Sequence, residues 1–300
     1  MNKWKKWTLR AALALAALVV LAGAALLAGT LLAERKMNRQ IQVNVKGVAL
    51  RSDAAALARG RYLYASRGCV DCHGKNGAGR MFLDDGKGLR IAGPNITSGP
   101  GSVTVRYTAQ DWERSIRHGI SPTGRALMIM PSEDYNRLTD DDLASLVAWV
   151  RNLAAASGGG PVVDLPPPVK ALYGIGLIPD AAEKINHALA PAQPVAEGVN
   201  LAHGAYVAHM CIGCHGANLA GGKIPGGPPE WPAAADLRPG AVMARYANAD
   251  AFMKMFKTGK RADGSAVQVM PFTSLSEMSD TDVRALHLYL SNLPAKSGKP

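Results

Sequence analysis

Apolar residues follow helical spacing in two separate parts of the chain. The first run places them three or four positions apart, at Leu143, Leu146, Val147, Val150 and Leu153. Thr139 precedes this run with Asp142 three residues later, a pairing typical of a helix start. Ser279 and Asp282 open a similar run that ends near Leu293. The pattern predicts an amphipathic helix in each part, and no strand pattern of comparable length competes with it.

The second run repeats the first at a distance of 140 residues, and the repeat extends beyond the helix. The same shift aligns Met130-Pro131 with Met270-Pro271 and runs without a gap from there to the end of the helix. We therefore predict a mainly α fold with two tandem domains, residues 51–153 and 198–300. Residues 154–197 between them are rich in proline and glycine, which is typical of a linker.

The amino-terminal part of the chain resembles a membrane anchor. Residues 11–33 carry no charge over 23 positions, which as a helix measure about 34 Å, against about 30 Å for a bilayer core. Basic residues in segment 1–10 predict a cytoplasmic amino end, so residues 34–50 would be a stalk on the outer side. A signal peptide cleaved near Ala22-Gly23-Ala24 is the alternative, and both interpretations export the protein.

The net charge of +11 does not indicate a nucleic-acid partner. Residues 1–39 contribute +6 of it, next to the apolar run, where basic residues set membrane topology. The remaining chain shows no basic cluster interleaved with aromatic side chains. We expect no nucleic acid among the partners.

All four cysteines lie in two Cys-x-x-Cys-His motifs, 142 residues apart. The motifs are Cys69, Cys72 and His73 in the first domain, and Cys211, Cys214 and His215 in the second. This is the signature of covalent c-type haem attachment, in which two thiols form thioethers and the histidine ligates the iron. Zinc ribbons place their two cysteine pairs about 15–20 residues apart, and a thioredoxin motif needs a βαβ setting. Two haem c groups are therefore predicted, with structural disulfides as the remaining alternative.

The second iron ligand is predicted from the repeat. Met130 and Met270 are the methionines that occupy the same place in both copies, and a His/Met pair is common in electron-transfer cytochromes. Met128 is a rival in the first domain, but its counterpart is Gln268. No histidine outside the attachment motifs recurs in both copies, so the metal ligands would be His73, Met130, His215 and Met270.

These motifs, with a terminal amphipathic helix in each copy, resemble class I c-type cytochromes over nearly all of both domains. In that family a proline carbonyl usually accepts the N–H of the ligating histidine, and Pro94 and Pro232 are similar in placement. The tandem, anchored arrangement also resembles cytochrome subunits of membrane-bound alcohol or sugar dehydrogenases. Those subunits usually carry three attachment motifs, and this chain carries two.

A di-haem cytochrome that relays single electrons in a membrane respiratory chain is the function these observations predict. The resemblance implies a membrane dehydrogenase, a quinol-oxidising complex or an oxidase as partner. The expected location is a bacterial-type cytoplasmic membrane, with the haem domains on the periplasmic face. The alternative is a haem enzyme, such as a di-haem peroxidase or a thiosulfate-oxidising cytochrome, in which one iron has a displaceable ligand. The recurrent Met-Pro favours the relay.

Overall fold

The computed structural model describes residues 3–228 and 230–295, and the fold is mainly helical, as predicted. The helices before the linker are α1 Lys3–Met37, α2 Ala54–Ser66, α3 Cys69–His73, α4 Ala109–His118, α5 Ser132–Tyr135 and α6 Asp140–Asn152. The linker contains α7 Pro167–Gly174, and the helices after the linker are α8 Leu201–Ala208, α9 Ile212–His215, α10 Ala249–Thr258, α11 Phe272–Leu275 and α12 Asp280–Ser291. Short 3₁₀ turns lie at Ala182–Lys184, His209–Cys211 and Val242–Arg245.

The predicted caps of the two terminal helices are present. The Thr139 hydroxyl accepts a hydrogen bond from the Asp142 amide at the start of α6, and Ser279 accepts one from Asp282 at the start of α12, both at 3.1 Å. Each bond satisfies an amide that the helix itself leaves without a partner. The repeat in the sequence is therefore a repeat of local structure.

In each domain the first helix crosses the last one at a glycine. A side chain at Gly60 in α2 would place its Cβ 1.9 Å from the Ser145 oxygen of α6, and at Gly204 in α8 the corresponding distance to Ala285 in α12 is 2.1 Å. Only glycine permits such a close approach of two backbones. Leu143, Leu146 and their equivalents in α12 then bury their side chains beneath this crossing.

The linker contains a short strand and a helix. Residues Val162–Asp164 form strand β3, which pairs with β2 (Arg90–Gly93), and β2 pairs in turn with β1 (Arg80–Asp84) in an antiparallel sheet. The sequence pattern does not predict these strands, because each has only three to five residues. Helix α7 follows and packs against the long amino-terminal helix α1.

Residues 38–50 lie along the first domain and contain no helix or strand. The Ile41 amide donates to the Gly124 oxygen at 2.8 Å, and the Gly47 amide donates to Glu113 Oε2 at 2.7 Å. Val48 is buried in the core of the domain. The segment predicted as a stalk therefore packs along the first domain and connects it to the end of α1.

Candidate haem sites and the interface between them

The first attachment motif forms a single helical turn. In α3, Cys69 and Cys72 are three residues apart, so both thiols project from one face, next to His73. Both cysteines are half-buried, and none of the four cysteines forms a disulfide. Burial raises the pKa of the Cys69 thiol to about 12 and that of Cys72 to about 11. In the structure both thiols of this motif are therefore protonated and free of disulfides.

The His73 ring is held by the backbone of the loop that follows. Its Nδ1 lies 2.9 Å from the carbonyl oxygen of Pro94. Because a carbonyl can only accept, Nδ1 carries the proton and the lone pair of Nε2 remains available to a metal. Burial lowers the pKa of His73, which favours the neutral imidazole that ligation requires.

The second histidine is held in the same way, but by a different residue from the one predicted. His215 Nδ1 lies 2.8 Å from the carbonyl oxygen of Ala235, so Pro232 does not take this role. The backbone shows why: Leu237 donates to Leu219, as Ile96 donates to Gly77 in the first domain, and this register brings Ala235 under the ring. Every residue has a backbone carbonyl, so the residue type at these positions does not indicate which one accepts the histidine N–H.

Replacing Pro232 by alanine is accordingly expected to leave the visible spectrum and the potential of the second haem unchanged. The Ala235 carbonyl stays in place in this variant, because its position depends on backbone bonds of Gly222 and Leu219. Redox titration of the Pro232→Ala chain checks this. A selective change at the second haem would restore the original assignment.

The two methionines occupy equivalent turns. Each Met oxygen accepts a hydrogen bond from the amide two residues later, Ser132 at 2.8 Å and Phe272 at 2.9 Å. The intervening prolines have nearly the same φ and ψ, −78° and 59° at Pro131, and −80° and 69° at Pro271. Met130 and Met270 each pack against the buried core of their own domain. Among the described residues, Met128 is not part of that core contact.

This set of side chains fits a haem in each domain. One neutral histidine, two free thiols on the same turn and one half-buried methionine are the groups that hold haem c and its iron. Among the described residues, no three His, Cys, Asp or Glu side chains gather as ligands for another metal ion. The four candidate iron ligands stay a prediction, which the experiments below address.

The two domains meet through a reciprocal pair of tyrosines, which the sequence analysis missed. The Tyr62 hydroxyl of α2 donates to Asp282 Oδ2 at 2.5 Å and accepts from the Ser279 amide at 3.1 Å. Tyr206 of α8 donates to Asp142 Oδ2 at 2.6 Å and accepts from Thr139 at 3.2 Å. Each tyrosine thus binds the start of the other domain's terminal helix. The interface has approximate twofold symmetry.

One side of this interface contains a buried ion pair. Arg67 Nη2 lies 2.6 Å from Asp282 Oδ2, and the two side chains are 5% and 0% exposed. His203 Nε2 binds the other oxygen of Asp282 at 2.7 Å. Burial alone would raise the pKa of Asp282, but Arg67 and the hydrogen bonds outweigh it and hold this pKa at about 2. The negative charge of Asp282 in the second domain is therefore neutralised by Arg67 of the first domain.

The depressed pKa of Asp282 predicts how the interface responds to acid. The carboxylate stabilises the folded protein above its ordinary pKa of 3.8, and this stabilisation is lost as the pH falls from about 4 through about 2. The shift corresponds to roughly 2 kcal/mol, at about 1.4 kcal/mol per unit. Denaturant unfolding between pH 5 and 1.5 measures it. In the Asp282→Asn chain this component of the pH dependence should be absent, and a slope equal to that of the natural chain would contradict the assignment.

Both attachment motifs lie at this interface. Ser274 of α11 donates to Asp71 Oδ2, within the first motif, at 2.6 Å. In return, the Gly213 amide of the second motif donates to Asp134 Oδ1 of α5 at 2.8 Å. Burial raises the pKa of Asp71 and of Asp134, so both carboxyl groups are partly withdrawn from water at these contacts. The turn after each Met-Pro therefore touches the attachment motif of the other domain.

A family model described as "Cytochrome C oxidase, cbb3-type, subunit III" matches residues 55–150 and again residues 200–290. The two matches cover both halves of the repeat and most of the chain. Each contains one attachment motif and one Met-Pro.

Several relatives with similar sequences are named as cytochromes or as cytochrome subunits. The fructose dehydrogenase cytochrome subunit of Gluconobacter japonicus is 29% identical over 81% of this chain, and the alcohol dehydrogenase (quinone) cytochrome c subunit of Gluconobacter oxydans is 27% identical over 81%. The chain spans only 53% and 56% of those two proteins. A "diheme cytochrome c-type" protein of Cereibacter sphaeroides is 26% identical, with 79% of this chain and 86% of that protein aligned.

Proposed function

Because the chain belongs to the cytochrome c family that this model describes, we propose that it binds two haem c groups and passes single electrons between them. Covalently bound haem c is what membership of this family implies. The number two rests on the two complete sets of side chains, Cys69, Cys72, His73 and Met130, and Cys211, Cys214, His215 and Met270.

The observation that carries the proposal is the reciprocal interface. It brings the two attachment motifs to one domain boundary through the Asp71–Ser274 and Gly213–Asp134 contacts. Haem supplies reversible one-electron chemistry when bound, and a His/Met pair leaves no open position for a substrate. The protein's part is to fix each histidine by a backbone carbonyl, to supply a methionine thioether that would be the other iron ligand, and to hold the two sites at one domain boundary. This favours a relay over a peroxidase.

Retention of α1 as a membrane anchor is part of the same proposal. It is the one helix among the described residues that is long and apolar enough to span a bilayer, and an 18-residue apolar stretch of it is not buried by the rest of the chain. Its carboxyl end is built into the protein: Lys36 pairs with Glu183 at 2.8 Å, and Arg39 pairs with Asp180 at 2.6 Å. The haem domains would lie on the periplasmic face of a bacterial-type inner membrane.

The partner would be a membrane enzyme that donates or accepts electrons one at a time. Relatives named as cytochrome subunits of fructose and alcohol dehydrogenases suggest a dehydrogenase as donor, with a quinol-oxidising complex or an oxidase as the further candidates. Tethering to the same membrane raises the effective concentration of such a partner, so a weak docking contact would suffice.

Substrate-driven haem reduction in isolated membranes tests this function. Membranes with the full chain should show reduction of both haems when respiratory substrates are added and reoxidation with oxygen. Membranes with the Met270→Leu chain serve as a matched control, since the first site is untouched and the chain remains anchored. The relay is contradicted if the haems stay oxidised while the respiratory chain turns over.

A further inference from the structure

Helix α7 and the turn after it present an uncovered apolar face. Leu172, Ile175 and Leu177 are 41%, 57% and 69% exposed. Three large apolar side chains within six residues are an unusual cost for a surface in water, since each buried side chain of this kind is worth about 1.5–3 kcal/mol. We therefore expect another apolar surface to cover these three side chains.

The position of α7 is fixed by direct backbone packing on α1. A Cβ at Gly29 of α1 would lie 2.6 Å from the Cβ of Ala171, and a Cβ at Gly174 would lie 2.1 Å from the Gly29 oxygen. Ala33 is fully buried in the same crossing. The two helices touch without intervening side chains, so α7 cannot move away from this level of the anchor without losing the contact.

The crossing lies inside the charge-free run of the anchor. Gly29 precedes Ala33, the last residue of that run, by four positions, which places it about 6 Å below the outer end of the run. At the same level, Leu27 and Leu31 of α1 are each 61% exposed. Interfacial helices bury their apolar face about 5–10 Å deep at the headgroup and acyl boundary. A bilayer that surrounds α1 at the level of Leu27 and Leu31 therefore reaches α7 as well.

Polar contacts lie on the outer side of the crossing. Lys36 Nζ donates to the carbonyl oxygens of Tyr173 at 3.1 Å and Ile178 at 3.3 Å. Arg39 Nη2 donates to Asp180 at 2.9 Å. The segment from α7 to Asp180 is thus apolar towards the anchor's hydrophobic run and charged towards the haem domains, the arrangement expected of chain at a membrane surface.

We propose that α7 and Leu177 lie in the outer leaflet of the bilayer, where Leu172, Ile175 and Leu177 contact lipid. This inference rests on the proposed retention of α1 as an anchor. It gives the protein two contacts with the membrane, one spanning and one interfacial. Two contacts fix the tilt of the haem domains towards the membrane surface, whereas a single helix would let them swivel.

Thiol labelling of the full chain in lipid nanodiscs, at one copy per disc, tests the proposal. Three single substitutions are compared: Ile175→Cys, Leu21→Cys in the middle of the charge-free run of α1 and Val105→Cys in a loop of the first domain. The replaced side chains are 57%, 65% and 63% exposed in the protein itself, so burial within the protein does not account for a difference in rate. A membrane-impermeant maleimide is the probe, detected by mass, with the unsubstituted chain as blank.

Ile175→Cys is expected to react at least about tenfold more slowly than Val105→Cys, as should Leu21→Cys, because both would lie among acyl chains. If Leu21→Cys is protected while Ile175→Cys reacts as fast as Val105→Cys, the anchor stands and the lipid contact of α7 is overturned. A face that binds a partner subunit would give that second result. Fast labelling of all three overturns the anchor, and the inference with it.

Discussion

Replacing Met270 by leucine is expected to abolish the long-wavelength sulfur-to-iron band of one haem and to lower the potential of that haem. Thioether ligation favours ferrous iron, so its loss stabilises the ferric state. Axial ligands set haem potentials over a range of about 0.8 V, and a drop on the order of 0.2 V is expected here. Met130→Leu should have the same effect on the other haem. Redox titration with visible spectroscopy measures both.

Met128→Leu is the matched control for the first domain. This methionine is two residues from Met130 and half-buried, so the substitution has similar steric consequences. It should leave the band and both potentials nearly unchanged. Loss of the band in Met128→Leu, with the band intact in Met130→Leu, would show that the wrong methionine had been assigned.

Replacing Asp282 by alanine is expected to lower the free energy of unfolding by about 3–5 kcal/mol, because Arg67 would be left buried without its partner. Arg67 and Asp282 belong to different domains, so the loss should fall on the coupling between them. We expect the single unfolding transition to separate into two, one for each domain. Chemical denaturation followed at each haem and by circular dichroism measures this.

Asp280→Asn is the control for that experiment. Asp280 belongs to the same first turn of α12 but has a 73% exposed side chain, so its removal should cost well under about 1 kcal/mol. A second variant, Arg67→Met with Asp282→Leu, removes both charges and should recover much of the lost stability. An Asp282→Ala chain as stable as the Asp280→Asn chain would contradict the role of this ion pair.

The helical repeat was predictable from the sequence because it depends on patterns that side chains carry. The spacing of Leu143, Leu146 and Val150 reports a helix face, and Thr139 and Ser279 report its start. The Met-Pro pairs recur at the same shift as these helices, and the structure shows that their turns are equivalent. Side-chain patterns of this kind survive even where the two copies share few identical residues.

The hydrogen-bond partner of His215 was not predictable in this way. A backbone carbonyl is common to all residues, so Pro232 and Ala235 differ in sequence but not in what their oxygens offer. Only the register of the loop decides, and that register depends on the hydrogen bond between Leu237 and Leu219. The position of α7 in the linker was not predictable for a related reason. It depends on the close contact of small residues in α7 and α1, and small residues produce no distinctive pattern in the sequence.

The two interface tyrosines are equivalent in the sequence repeat, but aligning the two copies at one fixed distance does not pair them. Gly60 and Tyr62 correspond to Gly204 and Tyr206 at a distance of 144 residues, whereas the attachment motifs correspond at 142 and the later helices at 140. The second copy is thus two residues shorter before its attachment motif, and two residues shorter again before its later helices. A comparison that allowed this further step would have aligned the two tyrosines. It would not have shown that each one binds the other domain.

The mass of the intact chain, after denaturation and extraction with acidified organic solvent, tests the central claim most directly. The account predicts the mass of the polypeptide plus two haem groups, because thioether bonds at Cys69, Cys72, Cys211 and Cys214 resist extraction. The chain with Cys211→Ala and Cys214→Ala should carry one haem. A natural chain that carries one haem, or releases both, would contradict the di-haem account.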